Sequence, residues 1–329
     1  MKYLKNDIIF LISYLENMRF VSFNLLSQTY AKPNLRPKCP PEFLEYKYRI
    51  SKIYELLESW VSNDTIIGLQ EVSIRYKQEL ILYFQEKNYE CIFENYSSSW
   101  SDFMGICIAY PKNLELFDIK ILTPSSSAYF RLPEYRDSPK DSQTTYNRWS
   151  EYLWSFVSVK EDSMMTKICK TYNRQLLLTL KKDNFVFNVC CLHLPCRYED
   201  PEFMSAYFSI ILSSLSRCKN LVLLGDFNSG LSSDLYQMIT TGKSQYPKIP
   251  LHGTILRDLF LTEEMYTNNS HSIFKGKENT FKGCIDYIFV SPDISDRLLN
   301  RKVFPQDDQL IPNENHPSDH CYLEVEMDF

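Results

Sequence analysis

The run Leu221–Leu224 constrains the fold more than any other stretch. Four apolar residues follow one another and stop at Gly225, Asp226, Phe227 and Asn228. A strand with one wet face alternates; an unbroken apolar run needs cover on both faces. It therefore predicts a strand inside a layered α/β structure. Asp226 and Asn228 then stand where that strand leaves the core. Two polar side chains one residue apart at a strand end can address one point beyond the sheet edge. Gly, Asp, Asn and Ser also form ordinary turns, so this stretch alone is equally well read as a turn.

The rest of the chain repeats the arrangement. Arg19–Phe23 alternates into Asn24, and Thr65–Leu69 ends at Gln70–Glu71. Met104–Tyr110 is strand-like. Arg174–Leu180 and Phe185–Leu192 read as paired strands about a turn at Lys181–Asn184, the second running into His193. In the opposite sense, Asp286 opens the run Asp286–Val290. Asp319–His320 open a last strand in which Cys321, Leu323, Val325 and Met327 alternate with polar residues. Between the strands, Tyr46, Ile50, Ile53, Leu57 and Trp60 trace one helix face. A second helix carries Tyr76, Leu80 and Tyr83, and a third, near 202–216, carries Phe203, Tyr207, Ile210 and Leu215. The stretch between Ser229 and Asp286 reads as polar loop. Residues 1–17 suggest a short amphipathic helix or extension. Residues 123–150, rich in Ser, Thr, Pro and Tyr with Arg131, Arg136 and Arg148, suggest a long loop insertion.

At 329 residues the chain is long enough for one large domain or two small ones. A net charge of −5 argues against coating duplex nucleic acid by bulk charge, and leaves room for a nuclease that works through bound cations. None of the ten cysteines forms a CxxC pair. Cys190, Cys191 and Cys321 sit in apolar runs as small core residues, which fits a reducing, cytoplasmic setting. No apolar run approaches the roughly 18 residues that span a bilayer, so no membrane is expected. Lys2 and Lys5 before Ile8–Leu15 have the outline of a signal peptide, but Asp7 and Glu16 interrupt it and no small-residue cleavage site follows.

A lone aspartate after a strand is usually a cap, and a lone histidine is usually structural. Several such residues at strand ends of one chain are much less expected by chance. In a two-sheet sandwich strand ends gather at the rims. Carboxylates and amides gathered there suit a hard cation, and two histidines can bind phosphate or move protons.

Taken in order, SFNLL (22–26), LQEV (69–72), HLP (193–195), GDFNS (225–229), DYIFVS (286–291) and PSDH (317–320) resemble the signatures of the endonuclease/exonuclease/phosphatase superfamily. CPPEFLEYKYR (39–49), NTFKGCIDYIFVS (279–291) and HPSDH (316–320) resemble its branch of carbon-catabolite-repressor-type deadenylases, nocturnin, Angel and the 2′,5′-phosphodiesterase. That resemblance implies an α/β (α+β) fold. It is a four-layer α/β/β/α sandwich of two mostly antiparallel sheets packed face to face, deoxyribonuclease-I-like, over residues 18–329. It implies a Mg²⁺-dependent 3′→5′ exoribonuclease of single-stranded RNA, releasing 5′-AMP from poly(A) 3′ ends, with one or two ions and Mn²⁺ able to substitute. Glu71 would bind the principal ion with Asn24 close by. Asp226 and Asn228 would orient the attacking water and contact phosphate or a second metal. His193 would donate to the scissile phosphate, and Asp286 would support the metal and histidine side. His320, with Asp319, would stabilise developing negative charge. Phe281 would stack on a base, and Pro195 or Tyr198 would wall the base pocket. The alternatives are the same site acting on 2′,5′-oligoadenylate, a small nucleotide phosphate or DNA ends, or an inactive relative serving as a binding module. Two departures from the branch stand out. Met104 replaces the aspartate of its usual Asp-Gly ahead of the Cys-Ala-Ile strand, and Leu194–Tyr198 replaces its longer loop after the first histidine.

Overall fold

Apolar residues on alternate faces of each strand sort the chain into two sheets and three packed layers of core. The computed structural model describes residues 17–96, 102–124, 164–249, 251, 255–260, 265–274 and 276–329. The expected N-terminal helix and almost all of the 123–150 insertion lie outside the described residues.

One sheet contains β1 (Met18–Asn24), β2 (Ile66–Val72), β3 (Tyr89–Asn95), β4 (Gly105–Pro111), β13 (Leu298–Phe304) and β14 (Tyr322–Met327), in the order β13-β14-β1-β2-β4-β3. The other contains β5 (Glu115–Leu122), β6 (Gln175–Lys182), β7 (Phe185–His193), β8 (Leu221–Asp226), β9 (Arg257–Asp258) and β12 (Asp286–Val290), in the order β5-β6-β7-β8-β12-β9. Val222 and Leu224 of β8 face the core between the sheets. Leu221 and Leu223 face the helices α4 (Met164–Cys169), α5 (Pro201–Leu215) and α6 (Asp234–Thr241) on the outside. The unbroken run Leu221–Leu224 thus reflects burial on both faces. In the first sheet, Phe20 points inward. Val21 and Phe23 point outward to α2 (Tyr46–Val61) and α3 (Ile74–Glu86), beyond the single turn α1 (Pro41–Leu44). The layers run α/β/β/α.

Each sheet has one parallel pair, β1 with β2 and β7 with β8, and is otherwise antiparallel. This settles where chemistry collects. The C-terminal ends of a parallel pair share one rim, and an antiparallel neighbour begins at that same rim. Residues that follow β1, β2, β7 and β8 therefore meet residues that precede β12 and β14.

The stretch from Ser229 to Asp286, expected as polar loop, contains α6, β9 and a separate hairpin of β10 (Asn268–Phe274) and β11 (Lys277–Gly283). The Ser233 hydroxyl caps α6 by accepting from the Tyr236 amide. Leu235, Met238 and Ile239 give the helix its buried stripe, and Gly242 at φ +68° ends it. The hairpin escaped notice because β11 is almost wholly exposed and carries no apolar alternation.

Candidate active site

The rim is built residue by residue from the ladders. In the parallel β7–β8 pair His193 lies opposite Asp226, and in the antiparallel β8–β12 pair Asp226 lies opposite Asp286. Gly225 makes the first register possible. It has φ +148°, and a Cβ there would stand 2.0 Å from the Leu192 carbonyl oxygen. On the other sheet a bulge between Leu69 and Val72 interrupts the β2–β4 ladder, and Glu71 sits in it at φ +54°. A left-handed conformation at a non-glycine residue is strained and turns the side chain off the regular pleat. Leu26 at φ +56° and Asn228 at φ +49° share that conformation. Three of the rim segments are held in conformations that the backbone alone would not choose.

Asn24 joins the two sheets. Its Nδ2 donates to Glu71 Oε1 at 3.2 Å and to Asp226 Oδ2 at 3.0 Å, while its Oδ1 accepts from the Leu26 amide at 2.9 Å. The Ser27 amide donates to Glu71 Oε2 at 2.8 Å. Asn228 supports Asp226 through its own amide, 2.8 Å from Oδ1, and its side chain donates to Leu194 O at 2.9 Å. His193 Nε2 is 3.4 Å from Asp226 Oδ2, and its Nδ1 meets the Tyr96 hydroxyl. His320 Nδ1 lies 2.9 Å from Asp286 Oδ2, with Nε2 3.8 Å from Asp226 Oδ2. Asp319 does not orient the His320 ring through Nδ1. Adjacent residues of an extended chain diverge, so Asp319 turns to Arg36, 2.6 Å away. Its Oδ1 stays 3.9 Å from His320 Nε2.

All these groups except Glu71 and Asn228 are buried, and burial sets the electrostatics. Burial pushes the Asp286 carboxyl up to about 6 against the pull of His320. Burial would depress the His320 imidazolium, but Asp286, Asp319 and Asp226 outweigh it and hold the ring well above its ordinary value. The proton of this pair belongs on His320. Burial also opposes ionisation of Asp319, yet Arg36 and then His320 keep its carboxyl below the usual range.

Such crowding of buried carboxylates suits a divalent cation. Ligand atoms of Asp226, Asp286 and His320 lie within 4.8 Å of one another, and Glu71 joins them through Asn24. The buried Asp319 Oδ1 has no hydrogen-bond partner. The carboxylate oxygens of Asp226 and Asp286, with Glu71 beside them, form a donor set for a hard divalent ion, so the residues present fit one.

Phe281 lies on β11 opposite Ser270 and is 36% exposed. Its hairpin is tied to the rim by the bridge between Asn268 and His320, and Thr267 Oγ1 accepts from the Asp286 amide. Pro195 is buried just past His193, whereas Tyr198 is 69% exposed. Among the described residues no hydrogen bond or ring contact joins Tyr198 to the cluster.

Sequence reasoning missed Arg36, Tyr96 and Arg49. Arg49 left a signal, since it falls on the apolar stripe of α2 between Tyr46 and Ile53, where an exposed cation has no place. Its guanidinium is fully buried and donates to Pro317 O at 2.8 Å, Gln28 Oε1 at 2.9 Å, the Tyr76 hydroxyl at 2.8 Å, Leu26 O at 2.5 Å and Leu25 O. It ties the loop after β1 to the segment before β14.

Comparison with known proteins agrees with the geometry. The chain is similar to a probable CCR4-Not complex 3′-5′-exoribonuclease subunit Ccr4 of Vairimorpha ceranae, at 37% identity over 38% of this chain. That match spans 28% of the relative's length. Carbon catabolite repressor protein 4 homolog 4 of Arabidopsis thaliana matches at 24% identity over 94% of this chain and 77% of its own. The fold matches the crystal structure of ANGEL2, a 2′,3′-cyclic phosphatase, with a TM-score of 0.68 at 19% identity, covering 95% of this chain and 96% of that one. A family model aligns from residue 21 to residue 320, through both sheets and every rim position from Asn24 to His320, and by it the chain belongs to the Endonuclease/Exonuclease/phosphatase family.

Proposed function

We propose that the protein is a Mg²⁺-dependent 3′→5′ exoribonuclease acting on single-stranded RNA, with poly(A) 3′ ends as leading substrate and Mn²⁺ able to serve in place of Mg²⁺. The observation that carries this reading is the similarity to Ccr4-type 3′-5′-exoribonuclease subunits. Glu71, Asp226 and Asp286 would hold the ion, which supplies neutralisation of charge on the phosphate oxygens.

The remaining work falls to the chain. Asp226 and Asn228 orient the attacking water. His193 donates from Nε2 to a phosphate oxygen. His320, kept charged by Asp286 and by the Asp319 that Arg36 anchors, meets the negative charge that develops as the diester is cleaved. Phe281 offers a face for a base, as aromatic side chains do in readers of single strands. Pro195 and Tyr198 flank the entry after His193.

The test uses purified protein, Mg²⁺ and 5′-labelled RNA with a 3′ A-tail. Mixed-sequence RNA, 2′,5′-oligoadenylate and 2′,3′-cyclic phosphate ends run beside it, with Glu71→Ala as control. A ladder shortening from the 3′ end on the A-tail alone supports the reading. No cleavage of any RNA by folded protein refutes it and moves the search to nucleotide phosphates and DNA ends.

A further inference from the structure

The Tyr96 hydroxyl stands between the two halves of the rim. Tyr96 follows β3 on one sheet and is buried, with its ring edge-on to His193 of the other sheet at a centroid separation of 5.6 Å. Its oxygen lies within hydrogen-bond distance of His193 Nδ1.

A phenol has one proton to give. The other ring nitrogen, Nε2, lies 3.4 Å from Asp226 Oδ2, and a carboxylate oxygen draws the ring proton to that side. Nδ1 is then the bare nitrogen and accepts the proton that the phenol has to give.

We propose that Tyr96 is a positioning residue that fixes His193 with Nδ1 bare and Nε2 bearing the proton, so that the ring presents Nε2–H to a substrate oxygen. The identity of that oxygen as phosphate rests on the phosphodiesterase reading; the tautomer does not. Burial, and then Glu71 and Asp226 close by, push the Tyr96 phenol well above its ordinary value, which keeps the proton needed for this role. A neutral orienting group also suits the place. Tyr96 N donates to Met104 O at 3.2 Å, which holds the segment after β3 in place. The rim already gathers Glu71, Asp226, Asp286 and Asp319, and a phenol orients the ring without a fifth negative charge.

The test is a spectrum and a rate. In protein labelled with ¹⁵N at histidine, at about pH 8 and with His193→Gln to assign the ring, long-range proton–nitrogen correlation reports which nitrogen is bare. The expected result is a bare Nδ1 and a protonated Nε2 in the natural protein. Tyr96→Phe, which keeps the ring packing, should shift that pattern toward a tautomer mixture. With Mg²⁺ and A-tailed RNA it should lower kcat by about 10- to 100-fold, the usual cost of losing an orienting partner, with KM little changed. A protonated Nδ1 in the natural protein overturns the proposal, and that spectrum does not depend on the variant folding. So does a Tyr96→Phe protein with an unchanged ring pattern and unchanged kcat. A tautomer shift without RNA cleavage by either protein upholds the role of Tyr96 and refutes the nuclease reading instead.

Discussion

Replacing Arg49 with methionine tests how the rim is held in place. The substitution keeps the apolar stem within the α2 face and deletes five donated hydrogen bonds, all to neutral acceptors. Three of those acceptors are backbone carbonyls, of Leu25, Leu26 and Pro317. At about 1–3 kcal/mol for each buried acceptor left unmet, the gross loss is roughly 3–9 kcal/mol. Removing the guanidinium also removes its own desolvation penalty of several kcal/mol, so the net destabilisation should be about 3 kcal/mol. At roughly 2–4 °C per kcal/mol this lowers Tm by about 6–12 °C. Activity should fall further than stability, because the loop that Arg49 holds supplies the Leu26 and Ser27 amides to Asn24 and Glu71. Thermal melts, and kcat on A-tailed RNA at a temperature where both proteins are folded, separate the two effects. Arg49→Lys keeps the charge but not the planar fork and should fall in between. A methionine variant with Tm within about 2 °C of the natural protein and full activity would refute this account. A lysine variant indistinguishable from it would refute the part assigned to the fork.

Three further outcomes are expected. Glu71→Ala and Glu71→Gly should both be inactive, but the glycine variant should be the more stable by about 1 kcal/mol, because position 71 sits at φ +54°; equal melting temperatures would remove the strain argument. Phe281→Ala should leave the melting temperature unchanged and weaken RNA binding by about 1–3 kcal/mol in filter-binding titrations, and a loss of equal size on a generic diester would sink the stacking role. Burial lowers the His316 imidazole to about 4. The unfolded chain therefore binds the extra proton first as pH falls, and stability present above about pH 6.5 should drain away toward pH 4 by up to ~3 kcal/mol. Urea titrations without divalent ions at several pH values should show that slope, and it should flatten in His316→Gln.

Much of this was legible in the sequence because the two sheets bury both faces of their central strands. Leu221–Leu224, Asp286–Val290 and the alternation after His320 each announced a strand, and the polar residue at its end announced the rim. The edges were quieter. β3, β5 and β13 are edge strands with little fully buried surface, and none of the three was assigned as a strand from sequence; β10–β11 forms a separate hairpin, whose polar composition read as loop. Site residues that act through others were also hidden. The role of Arg36 exists only because the chain folds it against Asp319, and that of Tyr96 only because the two sheets bring it against His193. Pairings across hundreds of residues leave no local spacing to read. Arg49 alone broke a local rule, as a cation on an apolar stripe.

Asn24 holds Glu71 of one sheet and Asp226 of the other through a single amide nitrogen. An ion seated among these groups would act as a rivet between the two sheets, added to the hydrogen bonds and side-chain packing that already join them. Because the unfolded chain has no such cage, occupancy adds directly to the folding equilibrium, by about 2.7 kcal/mol when the free ion is a hundredfold above its Kd. The melting temperature should climb with added Mg²⁺ and fall on chelation, and Asn24→Ala should blunt that response. A chain that held an ion in this way would owe part of its durability to the local supply of that ion.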